Sequence, residues 1–308
     1  MLPISAAAWQ GFAQTCPRAI LQAMPRDATD AVLPSHQRAS GRFVLGFAVG
    51  RDGRGTVLRH LDQQAPLRVL FPDPEPGDPI LGAILNCAGG LAGGDALDQA
   101  ARLGPGTRVT LSSAAAEKVY RSLGPETRVA TRLALGAGAV LEWIPQETIL
   151  FDAARFCRST TVELGEAATL LAAETLVFGR AARGERLRRG FVLDRWHLRD
   201  AAGALLWADA LELGGDIEAA LDAPFGFDGA EALGTVLLAA PEAGARLAML
   251  RALPAPAPGA ATLPRPGLLL ARWLGPASAV RRAVGAALVA LRAAALGLPP
   301  RLPRLWTT

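Results

Sequence analysis

From residue 41 onward, short apolar runs alternate with glycine-bearing turns, and the first of them, Gly41-Arg42-Phe43-Val44-Leu45-Gly46-Phe47-Ala48-Val49, reads as a β-strand. Turn signals such as Gly104-Pro105-Gly106 and Gly136-Ala137-Gly138 punctuate the runs as far as residue 215. Runs this short predict strands, since a helix needs roughly ten or more periodic residues. Beyond residue 215 the pattern changes. Residues 242–253 carry a helical period, residues 254–266 read as a proline-rich connector, and residues 277–296 as an alanine- and arginine-rich helix. The prolines within 299–306 exclude helix and require an extended tail. Residues 1–35 show no sustained period and read as a loose leader. The expected organisation is that leader, a β-rich body over 36–253, and a connector, helix and tail over 254–308 that belong to the same domain.

A weak repeat runs through the body. Gly106-Thr107-Arg108-Val109-Thr110-Leu111 resembles Gly138-Ala139-Val140-Leu141-Glu142-Trp143, and Ala167-Ala168-Thr169-Leu170-Leu171 follows the same plan. A turn followed by a strand, recurring every ~30 residues, is what stacked β-coils require. The predicted fold is therefore mainly β, with stacked β-coil or β-helix-like layers and a few α-helices, the longest near the C-terminus. Glu117, Glu147 and Glu174 trail the three turns, so stacking would align them in a column. The plainer reading is that three glutamates fall in step by chance.

Composition narrows the function classes. A chain of 308 residues with 51% hydrophobic content can bury a substantial core. Lys118 is the single lysine among 32 basic residues, and the arginines are scattered, with a net charge of +4. Nucleic acid is not expected as a partner, because phosphate tracking needs a basic stripe. Cys16, Cys87 and Cys157 are far apart and form no C-x-x-C pair, so neither a disulfide framework nor a zinc knuckle is suggested, and a cytoplasmic setting is expected. No basic residue precedes the apolar stretch at the N-terminus, which argues against a secretory signal. The apolar tract of residues 283–298 is broken by Arg292 and is too short to span a bilayer, so no membrane is expected.

Few segments suggest chemistry. Cys87-Ala88-Gly89-Gly90-Leu91-Ala92-Gly93-Gly94-Asp95 demands positive φ or close backbone approach, yet it fits neither nucleotide-loop pattern and no lysine follows it. A tight corner with Asp95 bonding nearby amides is the plainer reading. Glu142 and Glu147 could be weighed as an acid/base pair in a β-rich enzyme, but strict alternation would put them on opposite faces, and Pro145 interrupts the strand between them. The three histidines, His36, His60 and His197, have no metal-ligand spacing, and Ser112-Ser113 lacks a nucleophile-elbow frame.

Several strings together resemble one family, the urease accessory protein UreD (UreH). They are Leu85-Asn86-Cys87-Ala88-Gly89-Gly90-Leu91-Ala92-Gly93-Gly94-Asp95, Ala116-Glu117-Lys118-Val119-Tyr120-Arg121-Ser122, and Leu141-Glu142-Trp143-Ile144-Pro145-Gln146-Glu147-Thr148-Ile149-Leu150-Phe151. Glu174 with Phe178-Gly179-Arg180, then Gly184-Glu185-Arg186, and finally Leu302-Pro303-Arg304-Leu305-Trp306 continue it in family order.

The resemblance implies a mainly β fold and no turnover of its own. It implies a scaffold that binds apo-urease together with UreF and the GTPase UreG and helps conduct nickel to the urease active site, with no permanently bound cofactor and Ni²⁺ only in transit. By similarity the acidic positions of that route fall on Asp95, Glu117, Glu174 and Asp209, with Glu212 the alternative for the last. A route must release its ion, so single carboxylates and water suit it better than a His/Cys cage. The C-terminal part, read as apolar surface beyond the β body, is the expected contact for UreF. A plain interaction module would instead tolerate loss of the acidic series.

Overall fold

The computed structural model describes residues 38–307 apart from residue 54, so the expected leader lies outside the described residues. Strands come in the order β1 (Ser40–Val49), β2 (Thr56–Gln64), β3 (Leu67–Leu70), β4 (Ile80–Asn86), β5 (Ala96–Leu103), β6 (Arg108–Ser113), β7 (Glu117–Val119), β8 (Thr127–Leu135), β9 (Val140–Trp143) and β10 (Thr148–Leu150). Next come β11 (Arg155–Leu164), β12 (Thr169–Arg180), β13 (Glu185–Arg186), β14 (Phe191–Asp200) and β15 (Leu205–Gly214). Helix α1 (Ile217–Asp222) precedes β16 (Ala232–Ala239), then α2 (Leu247–Arg251), β17 (Gly259–Arg265), β18 (Leu268–Gly275) and the long α3 (Ala277–Leu296).

The chain winds between two sheets. One has the order β15-β14-β11-β8-β5-β1-β2, and the other runs β17-β18-β16-β12-β9-β6-β4-β3. Their centres are parallel, with β5, β8, β11 and β14 in one and β4, β6, β9 and β12 in the other, as a stacked coil demands. Antiparallel strands close the edges at β2, β3, β15 and β17, which blunts otherwise open ladders.

The expected repeat is the coil itself. Arg108 pairs with Val140, and Val140 with Thr169. The turns before them stack as well. Gly106, Gly138 and Ala167 hold φ of 69°, 63° and 52°, and Gly106 N–H donates to Ala137 O as Gly138 N–H does to Glu166 O. A left-handed residue at the same place in each coil is why glycine recurs there. Alternation along the strands puts Leu141, Leu170, Ala172 and Leu176 into the core between the sheets. Fully burying a leucine contributes roughly 1.5–3 kcal/mol, so this core carries the coil.

The far side of the second sheet is covered by α3. Val280, Val284, Leu288 and Leu291 recur at helical spacing and are buried against Leu171, Ala173, Val236 and Leu238. Gly297 ends the helix with φ of 63°. The apolar surface expected of the C-terminal part is therefore covered by the chain's own sheet. Trp306 is 6% exposed, with its indole N–H on Ile144 O. Residues 254–266 also differ from expectation, since most of them enter β17. Pro264 is accommodated because β17 is an edge strand with a register shift between Thr262 and Arg265. The tail is extended except for a 3-10 turn over Arg304–Trp306.

Candidate functional site

A cavity of about 240 Å³ lies between the sheets, and its polar lining includes Asn86, Gln99, Glu117, Thr148, Arg158 and Glu174. Glu117 stands on β7, and its carboxylate receives both hydrogen bonds from Asn86 Nδ2 at 3.0 and 3.1 Å. Burial pushes the Glu117 carboxyl up to about 7, against the opposing pull of Asn86 and of the Lys118 amide and charge. Asn86 leads directly into the glycine corner.

That corner explains why two of the sequence strings travel together. A Cβ on Gly90 would lie 2.6 Å from the Tyr120 ring, and one on Gly93 would lie 2.1 Å from Ser122 Oγ. Leu91 and the segment after Glu117 exchange backbone bonds, with Leu91 N–H on Lys118 O and Tyr120 N–H on Leu91 O. The corner thus clamps the strand that carries Glu117. Asp95 ends it as a cap, its two oxygens accepting from Ala39 N–H at 2.9 Å and Ala92 N–H at 2.8 Å.

Glu174 projects inward from β12 and meets the opposite sheet. Its Oε2 accepts from Trp196 Nε1 at 3.0 Å and lies 2.6 Å from Arg158 Nη2. Arg158 on β11 also grips Asp194 of the neighbouring β14, Nε to Oδ1 at 3.0 Å and Nη2 to Oδ2 at 2.5 Å. Burial drives Glu174 well above the usual carboxylate range; the Arg158 charge opposes this, and Asp194 pushes further upward. For Asp194, burial is outweighed by Arg158, and the result is a lowered value.

Glu174 also lines a second space of about 20 Å³, enough for about one water, with Trp196, Trp207 and Asp209 around it. Asp209 faces inward from β15 and pairs with Arg272 of β18, bridging the sheets at their edge. Glu212 lies on the outward side of the same strand and is exposed. The structure thus places Glu117 and Glu174 on one cavity and Glu174 and Asp209 on the other, and Asp95 is in the lining of neither.

The expected glutamate column is not formed. Thr148 sits in register with Glu117 and Leu176, so Glu147 falls one position off and points outward to Arg281 of α3. Glu142 also faces α3. It is fully buried against Arg292 at 3.0 Å and Thr110 Oγ1 at 2.5 Å, and burial raises its pKa against the Arg292 charge. The break at Pro145 is what puts both glutamates on the same outer side, each tied to a different arginine. Among the described residues no three His, Cys, Asp or Glu side chains are placed to hold a metal ion. Nor is any helix there long and apolar enough to cross a membrane.

Comparison with known proteins decides the family. The sequence matches the profile described as UreD urease accessory protein over residues 39–307. The chain belongs to the UreD family. It is 48% identical over 240 residues to the urease accessory protein UreD of Granulibacter bethesdensis, covering 77% of this chain and 99% of that one. The UreD of Magnetococcus marinus is 44% identical over 277 residues, covering 88% and 94%. That of Methylobacterium sp. (strain 4-46) is 45% identical over 283 residues, covering 89% and 97%.

Against this UreD frame, Arg158, Asp194 and Asn86 are the site residues that motif reading passed over. Alternation carries a signal for two of them. Phe156, Thr160 and Val162 share a buried face with Arg158, as Val192, Trp196 and Leu198 do with Asp194. A charged residue on the apolar face of a central strand needs a partner or a purpose.

Proposed function

We propose that this chain is a non-catalytic urease maturation factor that passes Ni²⁺ between its two sheets, working with UreF, UreG and apo-urease in the cytoplasm. The observation that carries the reading is Glu174, which belongs to both interior cavities and so connects Glu117 on one side with Asp209 on the other. Aqueous Ni²⁺ keeps water and takes carboxylate oxygens one at a time along such a line, which allows release where a soft His/Cys cage would trap it. A narrow acidic passage also concentrates a dication against competing monovalent ions. Asp95, committed to two backbone amides, is left out of the proposed line.

The test is nickel loading of purified apo-urease by the complex of this chain with UreF and UreG, read as metal content and urease activity. Glu174→Gln and Glu117→Gln are expected to assemble normally and to lower loading by about tenfold, the effect of losing about 1.4 kcal/mol of cation stabilisation. Normal loading by Glu174→Gln would leave a docking scaffold with no passage, and normal loading by Glu117→Gln alone would remove Glu117 from it.

A further inference from the structure

The arrangement around Glu174 contains a cation of its own. Glu174 Oε2 and Asp194 Oδ2 approach one atom, Arg158 Nη2, at 2.6 and 2.5 Å, so carboxylates from opposite sheets converge on one point. Two carboxylates converging in this way would bridge a divalent ion, and here the guanidinium occupies the seat. Its remaining bonds are arranged asymmetrically. Nε and Nη2 form a fork on Asp194, Nη1 reaches Thr148 Oγ1 at 3.2 Å, and Glu174 receives only Nη2. The guanidinium also lies over the Phe156 ring, 5.5 Å from its centroid. Giving up Glu174 therefore costs Arg158 one contact, while Asp194 keeps it charge-paired and close by.

We propose that Arg158 is a tethered competitor for the passage: it yields Glu174 to an arriving Ni²⁺ and, by returning, expels the ion onward. This rests on the reading of Glu174 as a station for nickel in transit. A carboxylate pair without the arginine would hold the dication and stall it. A competitor fixed to β11 acts at a high effective concentration, set by its tether, so it needs no affinity beyond that of an ordinary ion pair. Asp194 is a positioning residue, since it receives the guanidinium when Glu174 is occupied. Trp196, bonded to the same Glu174 oxygen, stays in contact with the station throughout and is a built-in reporter.

The experiment titrates the full chain with NiCl₂, followed by calorimetry and by quenching of Trp196 fluorescence, with Trp196→Phe as the signal control. Arg158→Gln is expected to bind Ni²⁺ about tenfold tighter than the parent and to hand it to apo-urease more slowly. Adding Glu174→Gln to that variant should remove the gain. Arg158→Lys keeps a tethered cation but loses the fork on Asp194, so its Ni²⁺ affinity should fall between those of the parent and Arg158→Gln. Affinity that does not rise in Arg158→Gln overturns the proposal and leaves the passage standing. Normal urease loading by Glu174→Gln overturns the passage, and the competitor with it. Should Arg158→Gln not fold, Asp194→Asn serves instead, because it keeps one balanced pair and leaves Glu174 as the guanidinium's only carboxylate. Transfer should then slow by about tenfold in an intact complex, with Trp196 quenching moved to higher Ni²⁺; an unchanged rate and quenching midpoint overturn the proposal.

Discussion

Two arginines, the largely buried Arg158 and the fully buried Arg292, do opposite jobs with similar contacts. Arg292 is 0% exposed and ties α3 to two segments far away in sequence and to the tail just after it: Nη2 to Asp78 at 2.6 Å, Nε beside Glu142 at 3.0 Å, and Nη1 to Arg301 O at 2.6 Å. Arg158 links two neighbouring strands and a facing one, and it lines an open cavity. A buried charge cluster is thus no sign of a functional site by itself. Space does not separate the two, since Arg292 lines a cavity of about 280 Å³ and Arg158 one of about 240 Å³. What separates them is placement: Arg292 fastens a helix and the tail on the outer side of the second sheet, whereas Arg158 lies between the sheets beside Glu174, which its cavity shares with that of Asp209.

The comparison can be broken most forcefully at the fastening. Arg292→Met leaves Glu142 and Asp78 without their shared cation and should cost about 3–5 kcal/mol in urea unfolding. Nickel loading per folded molecule should stay at the parent level, and a specific loss would erase the distinction between the clusters.

Glu117 gives a smaller, pH-dependent effect. Its carboxyl, ordinarily near 4.5, titrates at about 7 in the folded chain. Between those values the folded state holds a proton that the unfolded state has released, so stability falls as pH rises through that window. The total change is on the order of 3 kcal/mol. Glu117→Gln should flatten that slope, and parallel unfolding curves for parent and variant from acid to neutral pH would remove burial as its cause.

Asp95→Asn weakens two charge-assisted bonds to backbone amides and is expected to cost about 1–2 kcal/mol in thermal or urea unfolding, with loading per folded molecule unchanged. A drop in loading without a drop in stability would return Asp95 to the nickel line. The smallest stability effect is expected at Glu174→Gln. The amide keeps an acceptor for Trp196, and Arg158 keeps Asp194, so calorimetric melting should report a change below about 1 kcal/mol. A large loss of stability there would make the Arg158 cluster a second fastening.

The coil was legible in the sequence because each turn needs a left-handed residue at one place, and Gly106 and Gly138 announce it, with Ala167 holding the same place in the next turn. The first strand and α3 were legible from a period long enough to count. The antiparallel edges were not. β17 lies in a stretch rich in proline, and an edge strand tolerates proline because one side of it carries no ladder. In the site, Glu117 and Glu174 came from family resemblance, while the spacing that suggested a column also took in Glu147, which the register turns outward. Arg158 and Asp194 escaped because their partner strands are contributed by different coils, and pairing across coils is not written in local order.

Stacked coils also make the interior a gauge. Glu117 on β7 and the strand of Glu174, β12, are separated by β10 alone. Each strand advances the stack by about 4.8 Å, so the two levels stand roughly 10 Å apart. Any change in the length of such a route comes in whole rungs. Insertions within a coil swell the loops at its rim and leave the pitch untouched, so two stations set on different rungs keep their spacing while the surface around them is free to diverge.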